Sequence, residues 1–294
     1  MILAVTGGTG FVGARLIDRA VAAGHSVRAL TRRPQPPRTG VTWIEGTLAD
    51  PGVLASGADA TVHVAGVVNT DRAGFIAGNV EGTRAVLTAA KAAGVHRFVH
   101  VSSLSAREPQ LSNYGWSKRK GERLVEASAL DWTIVRPTGV YGPGDTELRD
   151  MFRMARYGLA LLPPRGRVSL IEVDDLAALL LALAERGGAR AIYEADDGAS
   201  LTHAELAQAI GAAVGRRVLS LHLPRALLSL AAALDTRFRG TDAKLTPDRV
   251  GYLCHPDWTA DPALRPPADL WQARTPLANG LAATASWYRA HGLL

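Results

Sequence analysis

The stretch Thr6-Gly7-Gly8-Thr9-Gly10-Phe11-Val12-Gly13 decides how this chain is read. It follows a short apolar run, Ile2–Thr6, and opens a segment, residues 11–23, whose apolar positions recur at helical spacing. In a strand–turn–helix setting Gly7, Gly10 and Gly13 divide the work. The first makes the tight turn, the second admits a pyrophosphate against the backbone, and the third lets helix and strand pack closely. The free N–H groups and the dipole of the helix that follows attract anions. Thr9, Phe11 and Val12 are therefore candidate phosphate-binding positions beside the three glycines.

Outward from this loop, the first half alternates apolar runs with helical patterns. Residues 26–30, 41–45, 60–64, 98–102 and 132–136 are nearly continuous apolar runs, as strands buried on both faces require. Helices are expected near 79–93 and 114–127. Repeated βα units with short loops predict an α/β fold, a doubly wound parallel sheet of Rossmann type. After Pro137 the character changes. A strand is expected over 168–173, an apolar helix over 174–184 and a last short strand over 192–194. Helices follow at 203–214 and 225–234, then a stretch rich in Pro and Trp, then a helix ending at Arg289. The expected division is a dinucleotide-binding domain over 1–195, with an excursion near 138–166, and a smaller, mainly helical substrate lobe over 196–294.

The end of the second strand bears on which dinucleotide is bound. An NAD site usually places Asp or Glu about 20 residues past the glycines, on the ribose 2′-OH. Here the segment reads Leu30-Thr31-Arg32-Arg33-Pro34, and no acid lies between Arg19 and Trp43. Two guanidinium groups suit a 2′-phosphate, so NADP is expected in preference to NAD. The alternative is that Arg32 and Arg33 belong to a solvated loop.

Tyr114-Gly115-Trp116-Ser117-Lys118 sets a phenol and an ammonium four residues apart, on one face of a helix. A phenol must drop by roughly three pKa units, about 4 kcal/mol, to exchange protons near neutrality. One cation about 4 Å away supplies roughly that much at an effective dielectric near 20. Just upstream, Ser102 ends the run at 98–102, and Ser103 and Ser105 follow it. They lie at the carboxyl end of a strand, where an open parallel sheet binds its ligand. A hydroxyl there could hold a substrate oxygen, or merely satisfy the backbone.

Composition narrows the alternatives. The 294 residues are 47% apolar and 20% charged, which excludes extensive disorder. A single cysteine, Cys254, excludes a disulfide scaffold. The net charge of +6 comes almost wholly from scattered arginines without interleaved aromatics, so no nucleic-acid role is expected. No apolar run approaches a membrane span. Met1–Val5 leads straight into glycines without a basic n-region, so a cytoplasmic protein is expected. His63, His96 and His100 lack metal-ligand spacing, and no metal is expected.

With these motifs in order, the chain resembles an extended or atypical short-chain dehydrogenase/reductase of the NAD(P)-dependent epimerase/dehydratase family. The resemblance continues through Arg136-Pro137-Thr138-Gly139-Val140-Tyr141-Gly142-Pro143-Gly144 and Ile171-Glu172-Val173-Asp174-Asp175-Leu176. It implies Tyr114 as general acid–base, Lys118 as tuner of the phenol and binder of the nicotinamide ribose, and Ser103 as holder of the substrate oxygen. It implies a supporting role for Asn79, which otherwise reads as a helix N-cap. Ala65, Gly66 and Leu48 match positions on the adenosine side, and Pro137 one near the nicotinamide. Thr47 stands where the family usually carries Asp. Ser105, Arg136 and Tyr141 are candidates to meet substrate, as are the aromatics Tyr252, Trp258, Trp271 and Trp287 of the C-terminal half. The segment 106–112 reads as a short lid, which argues against a large nucleotide sugar. The implied activity is NADP-dependent hydride transfer at a carbonyl or alcohol carbon of a small or sugar-like molecule, with net epimerisation open, in a chain that can dimerise through the helices near Asn79 and Tyr114. The alternative is a non-catalytic NADP-binding accessory subunit, similar to one of respiratory complex I. Ser117-Lys118-x-x-Gly121-Glu122 and the apolar stretches 176–184 and 227–234 suit that second reading.

Overall fold

Seven short runs become one parallel sheet: β1 (Ile2–Thr6), β2 (Ser26–Thr31), β3 (Val41–Glu45), β4 (Ala60–His63), β5 (Arg97–Val101), β6 (Asp131–Pro137) and β11 (Ala191–Ala195). They join in the order β11-β6-β5-β4-β1-β2-β3, each neighbouring pair parallel. β1 and β4 are buried almost throughout, which is why their sequences do not alternate. The order runs outward in both directions from β1 and β4. Right-handed crossovers therefore place the helices on opposite faces. α1 (Phe11–Ala22) packs against α6 (Val173–Arg186). α3 (Gly82–Ala92) and α4 (Asn113–Glu126) share a core with β5 and β6, built on Val86, Ala90, Phe98, Val125 and Ile134. Between β1 and β4 the winding reverses, and the carboxyl ends of those strands flank the crevice where such sheets take ligands.

The structure is a computed structural model that describes residues 1–187, 190–240, 243 and 245–294. The sheet belongs to a first unit, Met1–Pro137, Val173–Ala195 and Asp261–Ala273. Relative to the expected division, the excursion from this unit runs to Glu172, and a proline-rich segment returns to it. That segment is tied down where the Asp261 N–H donates to Glu194 and the Trp271 indole donates to the Asp175 carbonyl. The apolar stretch 176–184 is core of this unit, not a free surface.

α2 (Arg72–Phe75), a π-helical turn at Ile76–Glu81 and α3 run on without a break. Asp71, whose carboxylate accepts the Gly74 N–H, caps the start. Asn79 thus sits inside the helix, and its reading as an N-cap does not hold.

The second unit comprises Thr138–Glu172, Asp196–Ala260 and Arg274–Leu294. Its small sheets pair β7 (Gly139–Tyr141) with β10 (Leu170–Glu172), and β8 (Leu159–Leu162) with β13 (Leu219–His222). β9 (Arg167–Val168) lies between β12 (Leu201–Thr202) and β14 (Asp257–Trp258). The run 168–173 is therefore not one strand; Ser169 separates β9 from β10. Helices α5 (Arg149–Arg156), α7 (His203–Val214), α8 (Arg225–Arg239), α9 (Pro247–Leu253) and α10 (Leu277–Ala290) complete the unit. Its core holds Tyr141, Phe152, Leu206, Ile210, Leu281 and Tyr288. Among the described residues no helix is long and apolar enough to cross a membrane.

Candidate active site

The glycine loop shows three separate constraints. Gly7 has φ of +73°, and a Cβ there would fall 2.8 Å from the Ala65 amide nitrogen. Any side chain is strained at that backbone angle and blocked by that neighbour. A Cβ at Gly13 would overlap the Gly7 carbonyl, so α1 closes onto the loop only through glycine. Gly10 differs. It is exposed, and a Cβ there would meet only the Gly7 carbonyl oxygen, at 3.3 Å. The backbone angle does not demand glycine there, and a Cβ would ask that carbonyl to give by only a few tenths of an ångström. Gly10 is also the N-cap of α1 and offers no side-chain oxygen to the first helical N–H groups. Thr9 is exposed, and Phe11 and Val12 are half-buried. An open helix start behind a bare glycine fits a dinucleotide's pyrophosphate.

Arg32 and Arg33 follow β2 and are exposed. Among the described residues neither has an acidic partner. Their loop is nonetheless held: Thr31 Oγ donates to the Arg33 carbonyl at 2.6 Å, and the Trp43 indole donates to the Pro36 carbonyl at 3.1 Å. The Trp43 ring also lies beside Gly8, within 3.7 Å of where a Cβ would stand. The arginine-bearing loop is thereby anchored next to the glycine loop. Leu48 packs against Gly82 at the start of α3.

Behind the crevice runs a chain of hydrogen bonds that no spacing in the sequence announces. The Ala65 N–H donates to Thr6 Oγ at 3.1 Å. Thr6 contacts His63 Nδ1 at 2.7 Å, and His63 Nε2 contacts Thr83 Oγ at 3.1 Å. Thr83 spends its one proton on the Asn79 carbonyl. It can therefore only accept from His63, which must carry its proton on Nε2 and accept from Thr6 on Nδ1. Burial, helped by the charge of Lys118, lowers the His63 pKa to about 3, so the ring stays neutral. Asn79 extends the chain. Its Oδ1 accepts the Val67 N–H at 2.7 Å, while Nδ2 donates to the Val67 carbonyl and to Ser117 Oγ, each at 2.9 Å. Ser117 donates to the Tyr114 carbonyl at 2.7 Å. The π-turn places Asn79 to clamp the strand exit after β4 and brace the first turn of α4 together.

Tyr114 is half-buried on that first turn, its ring 6.0 Å from Phe75. Lys118, one turn on, is buried, and its Nζ donates to the Val101 carbonyl at 2.7 Å. Burial lowers its pKa to about 8, opposed by the charge of Glu122. The ammonium lies beneath exposed Gly66, where a Cβ would come 3.5 Å from Nζ and 3.2 Å from Asn79 Oδ1. The crevice floor after β4 is thus bare backbone over a buried cation.

The three serines separate cleanly. Ser102 is buried and donates to Glu122 at 2.6 Å. Ser103 is half-buried; its Oγ donates to Ser105 Oγ at 3.1 Å and accepts the Ser105 N–H. Ser105 is buried in the short turn Leu104–Arg107. That turn lies against α4, since a Cβ at Gly115 would fall 2.5 Å from the Ser105 carbonyl oxygen. Ala106 and Ser112 are buried too, and Ser112 caps α4. The expected lid over 106–112 is instead packed structure at both ends.

Arg136 and Tyr141 do not meet the expectation of substrate contact. The Arg136 guanidinium is buried in a bidentate pair with Glu122, both contacts 2.8 Å, with Glu194 at 3.5 Å. Tyr141 is fully buried in the core of the second unit. Trp258 stacks with Tyr252, Trp287 with His291, and Trp271 anchors the returning segment; all three pack. Pro137 ends β6, buried beside Ala195 in register. The residue that spacing left without a role is Glu122. One turn past Lys118, it gathers Ser102, Arg119 and Arg136, and these partners hold its carboxylate below the usual range against the pull of burial. Among the described residues no three His, Cys, Asp or Glu side chains group to hold a metal ion.

Comparison with known proteins follows the same lines. The profile of the NAD dependent epimerase/dehydratase family matches residues 3–195. The chain is 36% identical to a ceramide reductase from Caulobacter vibrioides, the alignment covering 100% of this chain and 96% of the relative. It is 30% identical to a 2-alkyl-3-oxoalkanoate reductase from Stenotrophomonas maltophilia, over 90% of this chain and 93% of that one. A double mutant of the dTDP-glucose 4,6-dehydratase from Streptomyces venezuelae, solved with NAD bound, shares the fold. It aligns over 100% of both chains with a TM-score of 0.74 at 21% identity.

Proposed function

The chain belongs to the NAD dependent epimerase/dehydratase family, and from that premise we propose that it is an NADP-dependent reductase acting on an oxo group of a substrate with long alkyl chains. The observation that carries this reading is the end-to-end similarity to a ceramide reductase, joined by a second full-length relative named for a 3-oxoalkanoate. A non-catalytic accessory role finds no support in these comparisons.

A nicotinamide coenzyme held in the crevice would supply hydride to the oxo carbon. Tyr114 donates its phenolic proton to the oxo oxygen as charge develops there, so the carbonyl becomes an alcohol. Lys118 carries a positive charge one turn away on the same face, which stabilises the phenolate left on Tyr114 and receives the nicotinamide ribose. Ser103 holds the oxo oxygen by turning its one hydroxyl proton from Ser105 Oγ to the substrate, while the Ser105 N–H keeps its oxygen in place. Asn79 positions rather than reacts: it fixes Val67 and, through Ser117, the turn that bears Tyr114. Gly7, Thr9, Gly10, Phe11, Val12 and Gly13 cradle the pyrophosphate, with Leu48, Ala65 and Gly66 on the adenosine side and Pro137 near the nicotinamide. Arg32 and Arg33, exposed and without acidic partners, take the 2′-phosphate.

The test is a substrate panel with the purified protein. Long-chain 3-oxo compounds, 3-oxo ceramides included, are offered with NADPH and with NADH, and coenzyme oxidation is followed. Faster oxidation of NADPH than NADH on the long-chain ketones is expected. Interconversion of nucleotide sugars without net coenzyme consumption would replace this reading with an epimerase.

A further inference from the structure

α8 carries an apolar stripe that none of the described residues covers. Its buried side, Leu228 and Ala232, packs on Val250 of α9. Beside that seam stand Leu227, Leu230, Leu234 and Phe238, spaced as one helical stripe, with 47%, 58%, 48% and 81% of their surface exposed. A solitary exposed leucine needs no explanation, but four large apolar side chains in register on one helix do. The strand leading into the helix shows the same inversion. In β13, Leu219 and Leu221 face solvent while Ser220 and His222 are half-buried, the reverse of what a surface strand favours. Leu161 of the paired β8, opposite Leu221 in register, is exposed as well.

The charge along this stretch of chain is strongly biased to one sign. From residue 216 to residue 239 the chain carries five arginines, Arg216, Arg217, Arg225, Arg237 and Arg239, against one acid, Asp235. All five arginines are exposed, and Asp235 is bound to Arg239 at 3.3 Å. We propose that the stripe of α8 and the outward leucines of β13 dock on an anionic lipid bilayer. The leucines and Phe238 enter the acyl boundary while the arginines reach the headgroups. A second copy of this chain is a poorer occupant, because a two-fold contact would set the arginine-flanked faces against each other. The surface is read from α8 and β13 alone, so it does not depend on the reductase assignment. If both hold, docking brings the enzyme to the phase where a long-chain substrate resides.

The experiment is co-sedimentation of the full chain with vesicles, without substrate. Phosphatidylcholine vesicles containing phosphatidylglycerol are compared with pure phosphatidylcholine, at low and high salt. Binding is expected to the anionic vesicles, weakened about tenfold or more by high salt or by omitting phosphatidylglycerol. Leu230→Ser combined with Phe238→Ser is expected to lower binding at least about tenfold. The same variant should keep its helical circular dichroism and its affinity for NADPH, since these residues lie outside the coenzyme and proton-transfer machinery. Failure of the wild-type protein to bind anionic vesicles overturns the proposal. So does a wild-type dimer in light scattering that the double substitution converts to monomer, which would identify the stripe as a self-interface. Failure of the ketone panel leaves the vesicle result standing, and the converse holds.

Discussion

Lys118 pays for its place in the site. Burial lowers its pKa from 10.5 to about 8, so between those values the folded chain binds fewer protons than the unfolded one. Stability from this residue therefore rises as pH climbs from about 8 to 10.5, and at neutrality the buried cation costs on the order of 3 kcal/mol. On the proposed mechanism activity should run the other way, since above about pH 8 the lysine would lose the charge assigned to steadying a Tyr114 phenolate. Two outcomes follow. The pH profile of kcat should fall on its alkaline side near pH 8. Lys118→Met should lose activity about a hundredfold or more while melting no lower than the wild type at neutral pH, by thermal unfolding followed with circular dichroism. A large drop in melting temperature would show that the contact from Nζ to the Val101 carbonyl outweighs the cost of burying the charge.

At the scale of the element, the loop from β1 to α1 separates packing from binding. Gly13 is needed by the fold, because its missing Cβ admits the Gly7 carbonyl. Gly13→Ala should cost roughly 1–3 kcal/mol in urea denaturation, the usual penalty for overpacking. At Gly10 a Cβ asks only a small shift of that carbonyl, so Gly10→Ala should cost less than about 1 kcal/mol. It should nonetheless weaken NADPH binding at least about tenfold in a fluorescence titration, by crowding the phosphates. Normal affinity in that variant would place the pyrophosphate elsewhere. The helix from Arg72 to Ala92 shows where reading the sequence stopped short. Its polar start at Asp71 and the wide π-turn that aims Asn79 have no periodic signature, so the sequence suggested a helix beginning near Asn79.

Across the whole molecule, legibility follows burial and strand length. The sheet could be read because its inner strands are covered on both faces and so appear as unbroken apolar runs. In the second unit the helices at 203–214, 225–234 and the chain's last helix could be read from their spacing. Most of its strands could not, because they are two to four residues long and their sheets join distant segments. Arg136 was misread for a related reason: its partners Glu122 and Glu194 arrive from α4 and β11, and only the fold brings them together. That cluster ties β6, α4, β11 and the serine turn. Arg136→Met should cost about 3–5 kcal/mol in chemical denaturation by stranding a buried carboxylate, and adding Glu122→Gln should restore part of it. A variant pair whose losses simply add would refute the coupling. The central claim, that Tyr114 is the proton donor beside a dinucleotide held by the glycine loop, meets its most direct test in Tyr114→Phe. With the ketone that turns over best, kcat should fall about 100- to 10,000-fold while the Kd for NADPH, measured on the same preparation, stays within about threefold of wild type. Turnover retained within about tenfold of wild type, with NADPH still bound, would contradict it.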